Sequence, residues 1–399
     1  MARKQSHAQD LLGLSRLTIS AVKGVTELTE AVHMNVLQRA IGTPAVAPVV
    51  GTTAMVYRSV RAVTNLVGAG LEAVLTRLIP VLGEQQSWAG RDALLAAVNG
   101  VLGDQLEDAG NPLAIGMRLR RGGVALALTA DALRQALPQA NGRILVLVHG
   151  LCMNDVQWRR LGHDHGALLE RERGYTPVYL HYNSGRHISQ NGRDFADQLE
   201  ALLAAWPQPV EQLVIVGHSM GGLVARSAVA AGAKAGHAWP ASLSKLVFFG
   251  SPHHGAPLER GGNWVNLITD LNPYSAPFSR LAKLRSAGIT DLRHGSVLDA
   301  DWENRDRFGP STLPTPLPLP AGVACYAVGA TIGAASGDLK DRLAGDGLVP
   351  LASALGQHAD AARQLHFAPE HQLLRYQCNH MELLSDAEVG HQLCAWLAD

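Results

Sequence analysis

Hydrophobic positions along the chain fall into two regimes. In the first, residues 15–82, they recur at steps of three or four. Val56, Val60, Val63, Val67, Leu71, Val74 and Leu78 make one stripe, with Arg58, Arg61, Glu72 and Arg77 off it. An earlier stretch with Val22, Val25, Val32, Val36 and Leu37 behaves alike, and this period predicts amphipathic helices. Residues 1–110 are therefore expected to form an α-helical N-terminal region. Two uses of its apolar face stay open: packing as a layer, or peripheral contact with a membrane or lipid surface.

The second regime starts near residue 112, where short β-rich runs alternate with helical ones. "RILVLVHG" at 143–150, "TPVYLHYN" at 176–183, "QLVIVGHS" at 212–219, "LSKLVFFGSP" at 243–252 and "VACYAVGA" at 323–330 read as strands. The unbroken apolar run from Ile144 to Val148 suits a strand buried on both faces. Between the strands, Phe195, Leu199, Leu202 and Trp206 carry a helical period. The alternation predicts an α/β fold over residues 111–399, a mostly parallel sheet with helices on both faces. "MRLRRGGVALAL" at 117–128 predicts an edge hairpin before the parallel part. The connection from 254 to 322 is too long for a simple crossover. Its Trp264, Val265, Ile268, Leu271, Tyr274 and Phe278 give it the apolar surface of a lid or cap at about 255–320, against the alternative of a passive surface excursion.

Composition narrows the function. Hydrophobic residues are 47% and charged residues 17% of 399, enough for a sizeable core. The 34 basic and 34 acidic residues balance, and with no basic stripe a nucleic-acid partner is not expected. Cys152, Cys325, Cys378 and Cys394 stand far apart, which fits buried thiols better than a metal cluster or disulfide framework. The first twenty residues lack the apolar core and cleavage site of a signal peptide. The run from Ala40 to Tyr57 is interrupted by Pro44 and Pro48 and makes a poor membrane span. A cytoplasmic protein, peripheral at most to a membrane or lipid surface, is the expectation.

The chemistry centres on "LVIVGHSMGGLVARSAV" at 213–229. A strand, a serine between glycines and a helix make the G-x-S-x-G elbow, which exposes Ser219 on a sharp turn. A serine hydroxyl needs an adjacent base, and the base an orienting acid. "GDGLVP" offers Asp346 as the acid, ahead of Asp301, Asp338 and Asp341. "CNHMELLSDAEVGHQL" offers His380 as the base, in a loop before a final helix whose start is marked by a capping box of Ser385 and Glu388. Among 17 histidines the order Ser–Asp–His selects His380; His371, in or just after a strand, is the runner-up. The backbone N–H groups of Met220 and of Leu151, in "LVHGLCMND", are the expected oxyanion donors.

With "VHGL", "GHSMGG", "GSPHHG", "GDGLVP" and "HMELL" in this order, residues from about 112 to 399 resemble a serine esterase or lipase of the α/β-hydrolase superfamily. The nearest branch is the one that holds bacterial triacylglycerol lipases and GPI-inositol-deacylase-like hydrolases. The resemblance implies Ser219 as nucleophile, Asp346 as acid, His380 as base, and an ester or acyl-lipid substrate cleaved through an acyl-enzyme. It implies no cofactor and no metal. Thioester cleavage and acyl transfer use the same triad and stay open, as does an inert domain that serves lipid-surface binding. Arg186 and His187 in "HYNSGRHISQNG", His253 and His254 in "GSPHHG", and Trp264 in the lid segment are the tentative substrate contacts.

Overall fold

The computed structural model describes residues 12, 13, 16, 91–256, 286–305, 313–334 and 345–398. The stripes at 22–37 and 56–78, the apolar residues from Trp264 to Phe278, and Asp338 and Asp341 lie outside the described residues. The chain divides into two compact units, Met1–Ala89 with Leu106–Ala114, and Gly90–Gln105 with Ile115–Asp399. In the first unit Asn111 Nδ2 donates to the Gly13 carbonyl (3.0 Å) and Arg16 Nη1 to that of Gly110 (3.2 Å).

The second unit is built on one eight-stranded sheet in the order β2-β1-β4-β3-β5-β6-β7-β8. Its strands are β1 (Arg118–Arg121), β2 (Val124–Ala125), β3 (Arg143–Val148), β4 (Thr176–His181), β5 (Gln212–His218), β6 (Leu243–Phe249), β7 (Ala324–Thr331) and β8 (Gln372–Tyr376). From β4 to β8 every neighbouring pair is parallel, while β1 runs antiparallel to both β2 and β4. The expected edge hairpin is present and turns at Gly122 and Gly123, whose φ values of +57° and +78° favour glycine. Together this is the mostly parallel α/β sheet that the strand–helix alternation predicts, extended by an antiparallel edge.

The connecting helices are α1 (Arg91–Asp108), α2 (Ala130–Ala136), α3 (His165–Arg173), α4 (Ile188–Ala204), α5 (Met220–Ala235), α6 (Ala287–His294), the single turn α7 (Leu351–Ala354) and α8 (Ala387–Trp396). The apolar run of β3 is solvent-free from Ile144 to Val148, as a strand covered on both faces must be. Phe195, Leu199 and Leu202 bury the inner face of α4. The chain order reverses between β3 and β5, which opens a crevice at their carboxyl ends, where open α/β sheets bind ligands.

Three local expectations need correction. The final helix is capped by Asp386, whose side chain accepts from Val389 N–H (2.9 Å); Ser385 instead closes the preceding turn Glu382–Leu384. Glu388 is taken by Arg375, so the proposed capping box does not form. His371 lies just ahead of a strand, in the turn Pro369–His371, and packs against Tyr326 with ring centroids 4.1 Å apart. That strand, β8, is an additional edge strand whose five residues are all half-buried.

Candidate active site at the carboxyl ends of the central strands

Ser219 stands between β5 and α5, as the N-cap of the helix. Its φ of +55° and ψ of −125° are strained for a residue with a Cβ, at a cost of about 1–3 kcal/mol. The surroundings impose this conformation. Ser219 N–H donates to the Phe249 carbonyl (2.8 Å), and the flanking glycines allow helix and strand to meet. A Cβ on Gly221 would stand 2.2 Å from the Val148 carbonyl oxygen, and one on Gly217 would stand 2.5 Å from Gly222 N. The elbow is therefore pressed against the end of β3, and the serine is left 7% exposed.

Asp346 and His380 arrive on the loops beyond β7 and β8, and they meet. His380 Nδ1 donates to Asp346 Oδ2 at 2.6 Å, with both side chains buried. The other carboxylate oxygen, Oδ1, accepts from the N–H groups of Leu348 (3.0 Å) and Val349 (2.8 Å). The backbone joins the same two residues, His380 N–H to Asp346 carbonyl at 3.0 Å. With Nδ1 engaged by the carboxylate, Nε2 is the ring nitrogen left for another partner, the orientation a general base requires.

Two neighbours supporting this pair were not singled out from the sequence. His218 donates through Nε2 to the His380 carbonyl (3.1 Å) and stands 4.7 Å from its ring; burial holds its pKa well below the usual value, so it is a neutral strut. Gly250 has φ +53°, and a Cβ there would approach Asp346 Oδ2 to 3.0 Å and His380 Nδ1 to 3.1 Å. The signal for both lay in the quoted motifs: His218 precedes the serine, and Gly250 opens "GSPHHG".

The loop after β3 closes the other side. A Cβ on Gly150 would be 3.0 Å from Ser219 Cβ, so Leu151 follows a backbone already in contact with the elbow. The Leu151 and Met220 side chains are buried, which leaves their backbone as the part able to serve a substrate. Met220 opens a 16-residue helix, whose first N–H groups lack intrahelical acceptors and carry the positive end of its dipole. The loop itself is braced. Tyr182 Oη donates to the His149 carbonyl (2.8 Å), Cys152 N–H donates to Ser184 Oγ (3.0 Å), and Asn154 caps the turn Asp155–Trp158. Helix α1 backs it so closely that a Cβ on Gly100 would fall 2.2 Å from Cys152 Sγ.

Arg186 pairs with Asp194 (2.5 Å), and His187 pairs with Asp291 (3.0 Å) while stacking on Trp302 at 3.8 Å. His253 and His254 line a cavity with Arg226. Trp264 lies outside the described residues. Asp301, the weaker acid candidate, accepts the N–H groups of Val297, Leu298 and Thr315 and holds its own loop. In "LGHDHG", His163 Nε2 meets His165 Nδ1 at 3.0 Å, His165 Nε2 donates to the Leu383 carbonyl (2.9 Å), and Asp164 caps α3.

Residues 139–316 match the family model of the PGAP1-like alpha/beta domain. That span contains Ser219, Leu151 and Met220, whereas Asp346 and His380 lie beyond it. Among solved structures, lipase B of Aspergillus fumigatus is 11% identical, with 70% of this chain and 60% of that one aligned and a TM-score of 0.40. The chain thus spans less than two thirds of the length of that lipase. A Pyrobaculum calidifontis esterase is 12% identical over 65% of this chain and 75% of its own, TM-score 0.38. A lipase-esterase related protein from Clostridium acetobutylicum is 14% identical over 64% and 94%, TM-score 0.35. A search of curated proteins gives no match.

Proposed function

We propose that this α/β-hydrolase-fold chain, similar over residues 139–316 to the PGAP1-like alpha/beta domain, is a serine hydrolase of carboxylic esters. The observation that carries the reading is the 2.6 Å contact of His380 Nδ1 with Asp346 Oδ2, beside a serine held at φ +55° on the elbow. In this reading Ser219 Oγ attacks the ester carbonyl carbon as His380 Nε2 takes the hydroxyl proton. Asp346 stabilises the resulting imidazolium, and the N–H groups of Leu151 and Met220 bind the oxyanion. Collapse of the tetrahedral intermediate passes that proton to the departing alkoxide and leaves an acyl-serine. Water, deprotonated by His380, then releases the acid.

Acyl or lipid esters are the proposed substrate class, on the strength of the apolar residues between Trp264 and Phe278. Hydrolysis of p-nitrophenyl esters from acetate to palmitate, with Ser219→Ala alongside, tests both parts. Turnover that rises with chain length and vanishes in the variant supports the whole reading. Turnover confined to acetate would remove the lipid substrate, and equal rates in the two proteins would remove Ser219.

A further inference from the structure

Arg226 lies on α5 about two helical turns beyond Ser219, roughly 10 Å along the axis. It is a buried arginine with no carboxylate partner among the described residues. Its Nη2 donates to the Leu317 carbonyl, its Nη1 meets His253 Nδ1 at 3.4 Å, and its Nε–H is buried with no acceptor among the described residues. Burial pulls its pKa down to about 10, which leaves it charged at neutral pH. Desolvating an ion costs several kcal/mol, and a pair of neutral acceptors returns only part of that.

The side chain faces a cavity of about 40 Å³. A single water needs at least about 10–15 Å³ by the same measure, so there is room for a group the size of a tetrahedral ion. The walls supply donors. Arg363 gives Nη1 to the Pro314 carbonyl, and its Nε, 3.4 Å from the half-exposed Asp360 carboxylate, makes no hydrogen bond. His253 accepts from Arg226 at Nδ1, so its proton sits on Nε2, which is buried and unpartnered. His358 accepts the Asp360 N–H at Nδ1 (2.9 Å), which likewise puts its proton on Nε2. His254, whose Nε2 is also unpartnered, lies beside His358 with ring centroids 4.9 Å apart.

Among the described residues no Asp, Glu or Cys lines this cavity. Two guanidinium groups in a wall without an anionic side chain call for the opposite charge, and among the described residues the lining histidines form no group that could hold a metal ion. We propose that the pocket binds one phosphate-type oxyanion, clamped by Arg226 and Arg363 with His253 and His358 as further donors. Inorganic phosphate and the phosphate of a phosphomonoester or lipid headgroup share this chemistry. The site is separate from the proposed ester-cleaving centre and does not depend on it.

Calorimetric titration of the full chain at constant ionic strength is the test, with inorganic phosphate, glycerol 3-phosphate and dihexanoyl phosphatidic acid (below its micellar range) as probes and chloride as the control. Saturable phosphate binding is expected, at least tenfold weaker in Arg226→Gln and several-fold weaker in Arg363→Gln. The second variant, at a partly exposed position, keeps the test informative if the first does not fold. Tighter binding of the phosphatidic acid than of phosphate would identify a headgroup site, and the reverse order a site for the free ion. The proposal is overturned if phosphate binds no better than chloride. It is also overturned if both variants bind as the parent does, or if Arg226→Gln lowers the melting temperature equally with and without phosphate. That last result would leave Arg226 as a staple for the 313–317 segment.

Discussion

Ser219 combines two demands that pull apart. Its backbone occupies a region that residues other than glycine avoid, yet the proposed chemistry needs its hydroxyl. Ser219→Gly should therefore raise the urea midpoint, by about 1 kcal/mol of stability, while removing turnover. An unchanged or lower midpoint would show that the elbow is relaxed. Asp346→Asn tests the pair beside it. The new amide keeps an acceptor for the Leu348 and Val349 N–H groups but turns an NH2 toward His380 Nδ1, reversing the preferred tautomer. Turnover should fall by about four orders of magnitude, with the circular dichroism spectrum retained. The order of Ser219, Asp346 and His380 was legible because each sits in a short motif with its own turn chemistry. The contributions of His218 and Gly250 were not, since they depend on how close loops come after folding.

Among the elements, helix α1 has an effect its sequence does not announce. It lies within the stretch that reads as an α-helical N-terminal region, and its Gly100 is in contact with Cys152, next to the expected oxyanion donor Leu151. Gly100→Ala must displace Cys152, and the Leu151 N–H moves with it. A 10²-fold loss in kcat with KM nearly unchanged is expected, the pattern of a donor lost in the transition state alone. A variant impaired equally in both constants would point to a binding role instead. Strands β3 to β7 were readable because burial on both faces leaves continuous apolar runs. Strand β8 was not, because an edge position leaves "QLLRY" half-covered and without alternation. The cap of α8 was misread by one residue for a related reason. Arg375 claims Glu388, and Asp386, next along, has the carboxylate to do the capping.

At the scale of the molecule, the histidines are the unusual population. Burial lowers His149 to about 3 and His165 to about 4, and holds His218 and His253 well below 6.5. All four are then neutral in the folded state and free to take protons in the unfolded one. The unfolded state binds more protons once pH falls below about 6.5, so stability declines from there toward each folded value. Each group contributes up to about 1.4 kcal/mol per pH unit across its window. Urea unfolding at pH 7 and pH 5 should show a marked loss at the lower value, and His149→Phe a shallower one. A flat profile would mean these rings are solvated. Composition alone gave the number of histidines; their burial follows from where the strand-end loops fold back on the sheet. Among the described residues no helix is long and apolar enough to cross a membrane.

The proposed acid and base share a short stretch of chain. Asp346 and His380 are bonded through side chain and backbone alike, and both belong to the last described segment, 345–398, with the edge strand β8 and helix α8. Ser219 and both expected oxyanion donors lie upstream of it. In the proposed mechanism proton handling and acyl handling are thus divided along the chain, so a cut between them separates neither set. Two polypeptides, 1–340 and 341–399, should each be silent and regain ester hydrolysis when co-expressed, with β8 reseated beside β7 at the sheet edge. In such a split form the C-terminal piece would act as a detachable switch, able to report any event that brings the two halves together.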